Sequence, residues 1–137
     1  MTRTQAREIA YKMIFGDQFV DNGFEMEDFL ALCEGMPVTD EETQFVQGLV
    51  VGVREHIGEL REIIERNLSG YSYDRLFSAD KAGLLLCTFE LKYNAESTPK
   101  KVAINETLNL VKKFSADKSV AFVNSVIDKI CKEIEAE

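Results

Sequence analysis

Helical periodicity runs through almost the whole chain and constrains its fold more than any other feature. Apolar residues recur every three or four positions, and no stretch alternates apolar and polar residues as a half-buried strand would. The 137 residues include two prolines, and a chain of this length can form one domain with a substantial core. The pattern therefore predicts a single compact all-α domain of about six to seven helices.

The borders of the predicted helices follow from turn residues and from amphipathic spacing. The predicted segments are about 2–20, 25–34, 39–68, 80–93, 99–114 and 119–134, with a single helical turn at 74–77. Thr39 and Glu42 form a capping box at the start of the longest helix. Asp80 is expected to cap the next long helix, which is apolar on all sides and so should lie at the centre of the fold.

Composition excludes several classes of protein. No apolar run approaches the roughly 20 residues that a membrane span needs, and the N-terminus lacks the pattern of a signal peptide. Cys33, Cys87 and Cys131 are far apart and lack zinc-ligand spacing. We therefore expect a cytoplasmic protein with reduced, mostly buried cysteines and no contact with a membrane.

No pattern in the sequence indicates catalysis, a cofactor or a metal. A lone histidine, His56, leaves little room for a nucleophile–histidine arrangement, and no glycine-rich phosphate loop is present. The acids around Asp21 to Asp28 lack the ligand spacing of a calcium loop. We therefore predict a protein that is not an enzyme and that has no metal and no cofactor.

Charge is distributed unevenly along the chain. The net charge is −8, and residues 17–66 hold thirteen acids against three arginines. Two short basic segments remain, one at residues 1–16 with a net charge of +2 and one at residues 97–118 with +3. An anionic ligand should touch those two segments, although modest excesses of this kind are more often solvated helix faces.

Aromatic rings accompany the basic side chains on two predicted helices. Phe122 falls about 120° from the core stripe of the last helix, on the side that carries Lys118. Such a ring among lysines suits the stacking of an unpaired base, whereas the alternative is a ring packed under another helix. The first helix also carries basic and aromatic side chains on one side. They are Arg3, Arg7, Tyr11 and Phe15.

Three runs of residues in the second half resemble a known family. They are Lys101-Val102-Ala103-Ile104-Asn105-Glu106, Lys112-Lys113-Phe114, and Phe122-Val123-Asn124-Ser125-Val126-Ile127-Asp128-Lys129-Ile130. This pattern is similar to the C-terminal signature of the NusB transcription antitermination family, which usually has Gly where this chain has Ser115 and Ser125. Weaker similarity covers Asp74 to Leu91 and Ala6 to Glu8.

The resemblance implies a fold and a function. It implies two helical subdomains packed together, about 1–70 and 71–137. It also implies binding of boxA-type single-stranded RNA in ribosomal RNA transcripts, together with a small-subunit ribosomal protein and indirectly with RNA polymerase. A homodimer is left open. Asn105, Glu106 and Asn124 are expected to fix the helical hairpin through buried hydrogen bonds.

The resemblance and the basic segments together give a set of predicted contacts. The RNA contacts are expected at Arg3, Arg7, Tyr11, Phe15, Lys100, Lys101, Lys118 and Phe122. Glu90 is interpreted as a carboxylate at the rim of the fold that pairs with a basic side chain or contacts a protein partner. Two other functions are consistent with the sequence: a helical module that binds only protein, and a domain that serves a ribosomal RNA methyltransferase.

Overall fold

A computed structural model describes residues 1–137, and every regular element in it is helical, as predicted. The seven helices are α1 (Arg3–Asp17), α2 (Met26–Leu32), α3 (Asp40–Glu55), α4 (Ile57–Arg66), α5 (Ser78–Tyr93), α6 (Lys100–Phe114) and α7 (Asp117–Glu135). A 3₁₀ turn at Tyr73–Arg75 precedes α5. None of the helices combines the length and the hydrophobicity that a membrane-spanning helix needs.

Helix α5 is the centre of the fold. Eleven of its residues are buried, and it packs against α1, α3, α4, α6 and α7. The prediction of a buried central helix is therefore confirmed. One cluster of 32 buried apolar residues runs through both halves of the chain. The division into two subdomains at about residue 70 stays a prediction.

The single long helix expected at 39–68 is wrong, because the chain bends at His56. The backbone of His56 has φ −108° and ψ 16°, outside the helical region, and its ring stacks on Tyr93 with centroids 4.1 Å apart. The bend lets both α3 and α4 place their apolar sides against α5. Beside it, a Cβ on Gly52 would lie 2.2 Å from Cζ of Phe89, so only glycine allows that ring to pack so closely.

The capping box at Thr39 is confirmed, but the predicted cap at Asp80 is wrong. The Glu42 N–H donates to Oγ1 of Thr39 at 3.1 Å, and the Thr39 N–H donates to Oε1 of Glu42 at 2.9 Å. At α5, the cap position is Phe77. Asp80 is buried, and it accepts hydrogen bonds from Ser115 Oγ at 2.7 Å and Ser119 Oγ at 3.0 Å. These bonds fix the start of α5 to Ser115, just after α6, and to Ser119 in the first turn of α7.

Candidate nucleic-acid interface

Three aromatic side chains line a groove of about 270 Å³ beside the start of α7. Tyr71 and Phe77 are 58% and 55% exposed. The ring of Phe122 is half-buried and meets Tyr71 edge to face, with centroids 5.7 Å apart. Exposed aromatic faces in this arrangement suit the stacking of unpaired bases. We call the surface formed by Tyr71, Phe77 and Phe122 the aromatic groove.

The lining of the aromatic groove includes one carboxylate, Asp80, which is buried and accepts hydrogen bonds from Ser115 and Ser119. It also includes two cations, Arg75 and Lys118. Ten of the sixteen lysines and arginines lie within 4.0 Å of a carboxylate, but these two do not. Lys129, two turns beyond Phe122, donates instead to Ser69 Oγ at 3.1 Å. The cations beside the rings are therefore available for phosphate groups.

The structure brings two of the predicted RNA contacts together in this groove. Lys118 and Phe122 lie on the first turns of α7 and both line the groove. The prediction that Phe122 is partly exposed is confirmed, because the side chain packs against the core but is only half-buried. Its role as a stacking ring stays a prediction.

Two other predicted contacts, Arg7 and Tyr11, are buried, so the expectation that they face RNA is wrong. Arg7 is 4% exposed, and its Nε donates to both carboxylate oxygens of Glu90 at 3.1 and 3.2 Å. Tyr11 is 2% exposed, and its hydroxyl donates to the Ala79 carbonyl at 2.8 Å. The amphipathic spacing placed both residues correctly on one side of α1, but α5 and α6 cover that side.

Glu90 is also buried, so its assignment to a partner-binding rim is wrong. The side chain is 1% exposed and pairs with Arg7, which was one of the two roles considered for it. Burial raises the pKa of Glu90, and the adjacent Arg7 guanidinium opposes that shift. The pair joins α1 to α5 within the core and offers nothing to a partner.

The remaining predicted contacts lie on the surface but differ in their surroundings. Arg3 holds its guanidinium 4.0 Å from the centroid of the Phe45 ring and 3.4 Å from a carboxylate. The ammonium of Lys100 is 2.6 Å from Oε1 of Glu135. Lys101 is exposed and has no carboxylate partner. Phe15 is 37% exposed.

Helix packing separates these surface residues into two groups. Thr4 bonds to Glu106, and Glu8 bonds to Lys113, so α1 and α6 run side by side in the same direction. Arg3, Lys100 and Lys101 therefore occupy one end of the pair. Because α7 returns antiparallel, Glu135, the partner of Lys100, lies about 20 Å along the axis from Phe122. The predicted contacts thus lie at opposite ends of the α6–α7 hairpin, with Arg3, Lys100 and Lys101 at one end and Lys118 and Phe122 at the other.

The expected buried hydrogen bonds of Asn105 and Asn124 are wrong. Both amides are exposed, and neither makes a hydrogen bond within the protein. Glu106 is half-buried and accepts a bond from Thr4 Oγ1 at 2.8 Å, which ties α6 to α1 rather than to α7. The hairpin is held instead by apolar packing and by the Asp80–serine contacts.

Sequence reasoning missed three residues of the aromatic groove: Tyr71, Arg75 and Phe77. They lie in the connection between α4 and α5, whose one 3₁₀ turn is too short for periodicity to carry information. One available signal was composition, because residues 71–77 contain three aromatic side chains and an arginine. A polar loop has no core to bury so many rings, so some must be exposed.

The chain shows no arrangement typical of a metal centre or a nucleophile. No three histidine, cysteine, aspartate or glutamate side chains lie together in a way that could hold a metal ion. The three cysteines are free and buried, and burial raises the pKa of Cys87 to about 12. A thiol held neutral in this way is a poor nucleophile.

Comparison with known proteins agrees with this architecture. A model of the NusB family matches residues 4–132. A transcription antitermination protein NusB from Agathobacter rectalis is 36% identical over 130 residues, which cover 94% of this chain and 98% of that protein. The structure of T. maritima NusB superposes with a TM-score of 0.86 at 24% identity, covering 97% of this chain and 92% of that one.

A further solved structure holds a similar chain in a complex. It contains the antitermination factors NusB and NusE with dsRNA, and the similar chain is 27% identical with a TM-score of 0.81. The match covers 96% of each chain. From the family model and the extent of these matches, we conclude that the chain belongs to the NusB family.

Proposed function

We propose that this protein is a transcription antitermination factor that binds boxA-type single-stranded RNA of ribosomal RNA transcripts. It does so together with a small-subunit ribosomal protein, and the complex acts on RNA polymerase. The observation that carries the proposal is the aromatic groove, where three partly exposed rings lie beside two unpaired cations. The relatives named as antitermination factors and the complex of one NusB with NusE and RNA support it.

The groove can hold RNA by stacking and by charge. Unpaired bases stack on the faces of Tyr71, Phe77 and Phe122, and each stack contributes about 1–3 kcal/mol. The edge-to-face contact between Tyr71 and Phe122 already restrains both rings, so binding costs little side-chain entropy. Arg75 and Lys118 reach the phosphates on either side of the stacked bases.

Charge explains why a protein partner belongs in this proposal. The net charge of −8 repels RNA at long range, and most cations are already paired with carboxylates of the same chain. Few cations therefore remain to replace the counterions of RNA. We expect the chain alone to bind RNA weakly and a basic ribosomal protein to strengthen binding by contacting the same strand.

A salt titration tests the electrostatic part of the proposal. We would measure the affinity for a fluorescent boxA-like RNA at several salt concentrations, with and without the ribosomal protein. Lys118→Ala should reduce the slope of log affinity against log salt by about 0.7, the value for one phosphate contact with a single strand. Lys132→Ala is the matched control, because Lys132 lies on the same helix but pairs with Asp128 at 3.2 Å.

Two results would contradict the proposal. Equal slopes for the wild type, Lys118→Ala and Arg75→Ala would show that the groove contacts no phosphate. Binding of the ribosomal protein without any RNA affinity, alone or in the complex, would favour the alternative of a module that binds only protein.

A further inference from the structure

A second groove, of about 410 Å³, lies between the end of α1 and α2. Its apolar lining includes Met13, Val20, Ala31 and Leu32. Val20 is 62% exposed although it lies among apolar neighbours. We call this surface the α1–α2 groove. It shares no lining residue with the aromatic groove.

One side of α2 faces this groove. Met26 and Leu30 are 48% and 52% exposed, but at 100° per residue they lie on the opposite side of α2 from Asp28, which lines the groove. Phe29 is fully buried, whereas Ala31 is exposed and lines the groove. A contiguous apolar surface with a polar rim is typical of a site that binds another protein.

The rim of the α1–α2 groove is negatively charged. Residues 13–53 contain no lysine and no arginine. Glu25, Glu27, Asp28 and Glu34 lie on or beside α2, and none of them is within 4.0 Å of a cationic group. The one cation in the lining, Lys12, is 3.5 Å from the carboxylate of Glu8. An RNA strand or an anionic membrane would be repelled by such a rim.

The backbone conformation and the charge of Glu34 both destabilise the free protein. Its backbone has φ +52°, in the left-handed region that costs a side chain about 1–2 kcal/mol. Its negative charge also lies just beyond the C-terminal end of α2, where the helix dipole disfavours an acid. A cation bound beside Glu34 would offset the second of these costs.

From this combination of shape and charge, we infer that the α1–α2 groove binds a short, positively charged amphipathic helix of a protein partner. The apolar side of that helix covers Val20, Ala31 and Leu32, and its lysines or arginines pair with the acids of α2. Helix α2 is about 10 Å long, so two to three turns of the partner suffice. Because the two grooves are separate, the partner helix and RNA can bind at the same time.

Binding of a model peptide tests this inference. The probe is a fluorescent 14-residue peptide of leucine and lysine with helical spacing, added to the full-length protein. A peptide of the same composition in shuffled order and a leucine–glutamate peptide are the controls. Val20→Ser should weaken binding about tenfold, which corresponds to the loss of about two buried methylene groups. Leu30→Ser should leave binding unchanged, because Leu30 is exposed on α2 but does not line the groove.

Val102→Ser is the matched control variant, because Val102 is a 40% exposed aliphatic residue on α6, outside the groove. We expect its effect on peptide affinity to be less than about twofold, the range of ordinary surface substitutions. Equal losses in all three variants, or equal binding of the shuffled or acidic peptide, would overturn the inference.

Glu34→Gly separates binding from stability. Glycine tolerates the left-handed backbone, so the variant should unfold at a higher temperature than the wild type. The same change removes one rim charge, so affinity for the lysine peptide should fall. A higher melting temperature with unchanged affinity would contradict the charge argument. Self-association of the wild type that Val20→Ser abolishes would identify a second copy as the occupant and would also overturn the inference.

Discussion

Arg7 and Glu90 form an ion pair in the core, with Nε of Arg7 3.1 and 3.2 Å from the two carboxylate oxygens of Glu90. Nη2 of Arg7 also donates to Thr98 Oγ1 at 3.1 Å. The arginine therefore links α1, α5 and the connection to α6. Each charge has lost its hydration, so the arrangement is stable only while both partners are present.

The first prediction is that Arg7→Ala destabilises the fold. The change leaves the Glu90 carboxylate buried without a partner, and we expect the free energy of unfolding to fall by about 3–5 kcal/mol. Urea denaturation measures the difference. Arg3→Ala is the control, because Arg3 is exposed and its ion pair is worth at most about 1 kcal/mol. Similar stability of the two variants would contradict the interpretation of Arg7 as a core residue.

Two glycines of α3 give the second prediction. Gly52→Ala would place a methyl group against the Phe89 ring, and overpacking of this kind costs about 1–3 kcal/mol. A Cβ on Gly48 would meet nothing within 4 Å, so Gly48→Ala should stabilise the helix by about 0.5–1 kcal/mol. Thermal melting of both variants tests the packing at the His56 bend. A change of the same sign in both variants would show that this packing is not as described.

The third prediction concerns pH. A hydrogen bond from Arg66 to Glu133 holds the pKa of that carboxyl below its ordinary value, and Asn67 adds a second bond. A depressed pKa in the folded state stabilises the fold above the unfolded value of about 4.3, and the contribution is lost as the pH falls through the folded pKa. The melting temperatures of the wild type and Glu133→Gln should therefore differ most near neutral pH and converge in acid. A difference that does not change with pH would contradict the assignment.

Much of the fold could be predicted because helical periodicity reports burial directly. The apolar positions of α5 wrap around the whole helix, and the structure buries it among five others. Periodicity could not show that the side of α1 carrying Arg7 and Tyr11 is covered, because a second buried face depends on how the helices pack together. The bend at His56 has the same origin, since it follows from the packing of α3 and α4 around α5.

The candidate site was only partly predictable from sequence. Lys118 and Phe122 were found because helix geometry separates them from the core stripe of α7. Tyr71, Arg75 and Phe77 lie in an irregular connection, and only the tertiary structure brings them next to α7. Asn105 and Asn124 were predicted to form buried hydrogen bonds within the helical hairpin, yet both side chains are exposed in the structure.

The aromatic groove is the central claim, and RNA binding by Phe122→Ala tests it most directly. Phe19→Ala is the control, because Phe19 is 65% exposed but lies outside the groove. Affinity for the boxA-like RNA and thermal stability should be measured on both variants. We expect Phe122→Ala to weaken RNA binding by about 1–3 kcal/mol and Phe19→Ala to leave it unchanged. A large loss of stability in Phe122→Ala, with unchanged RNA affinity of the folded protein, would show that Phe122 is a core residue and would contradict the account.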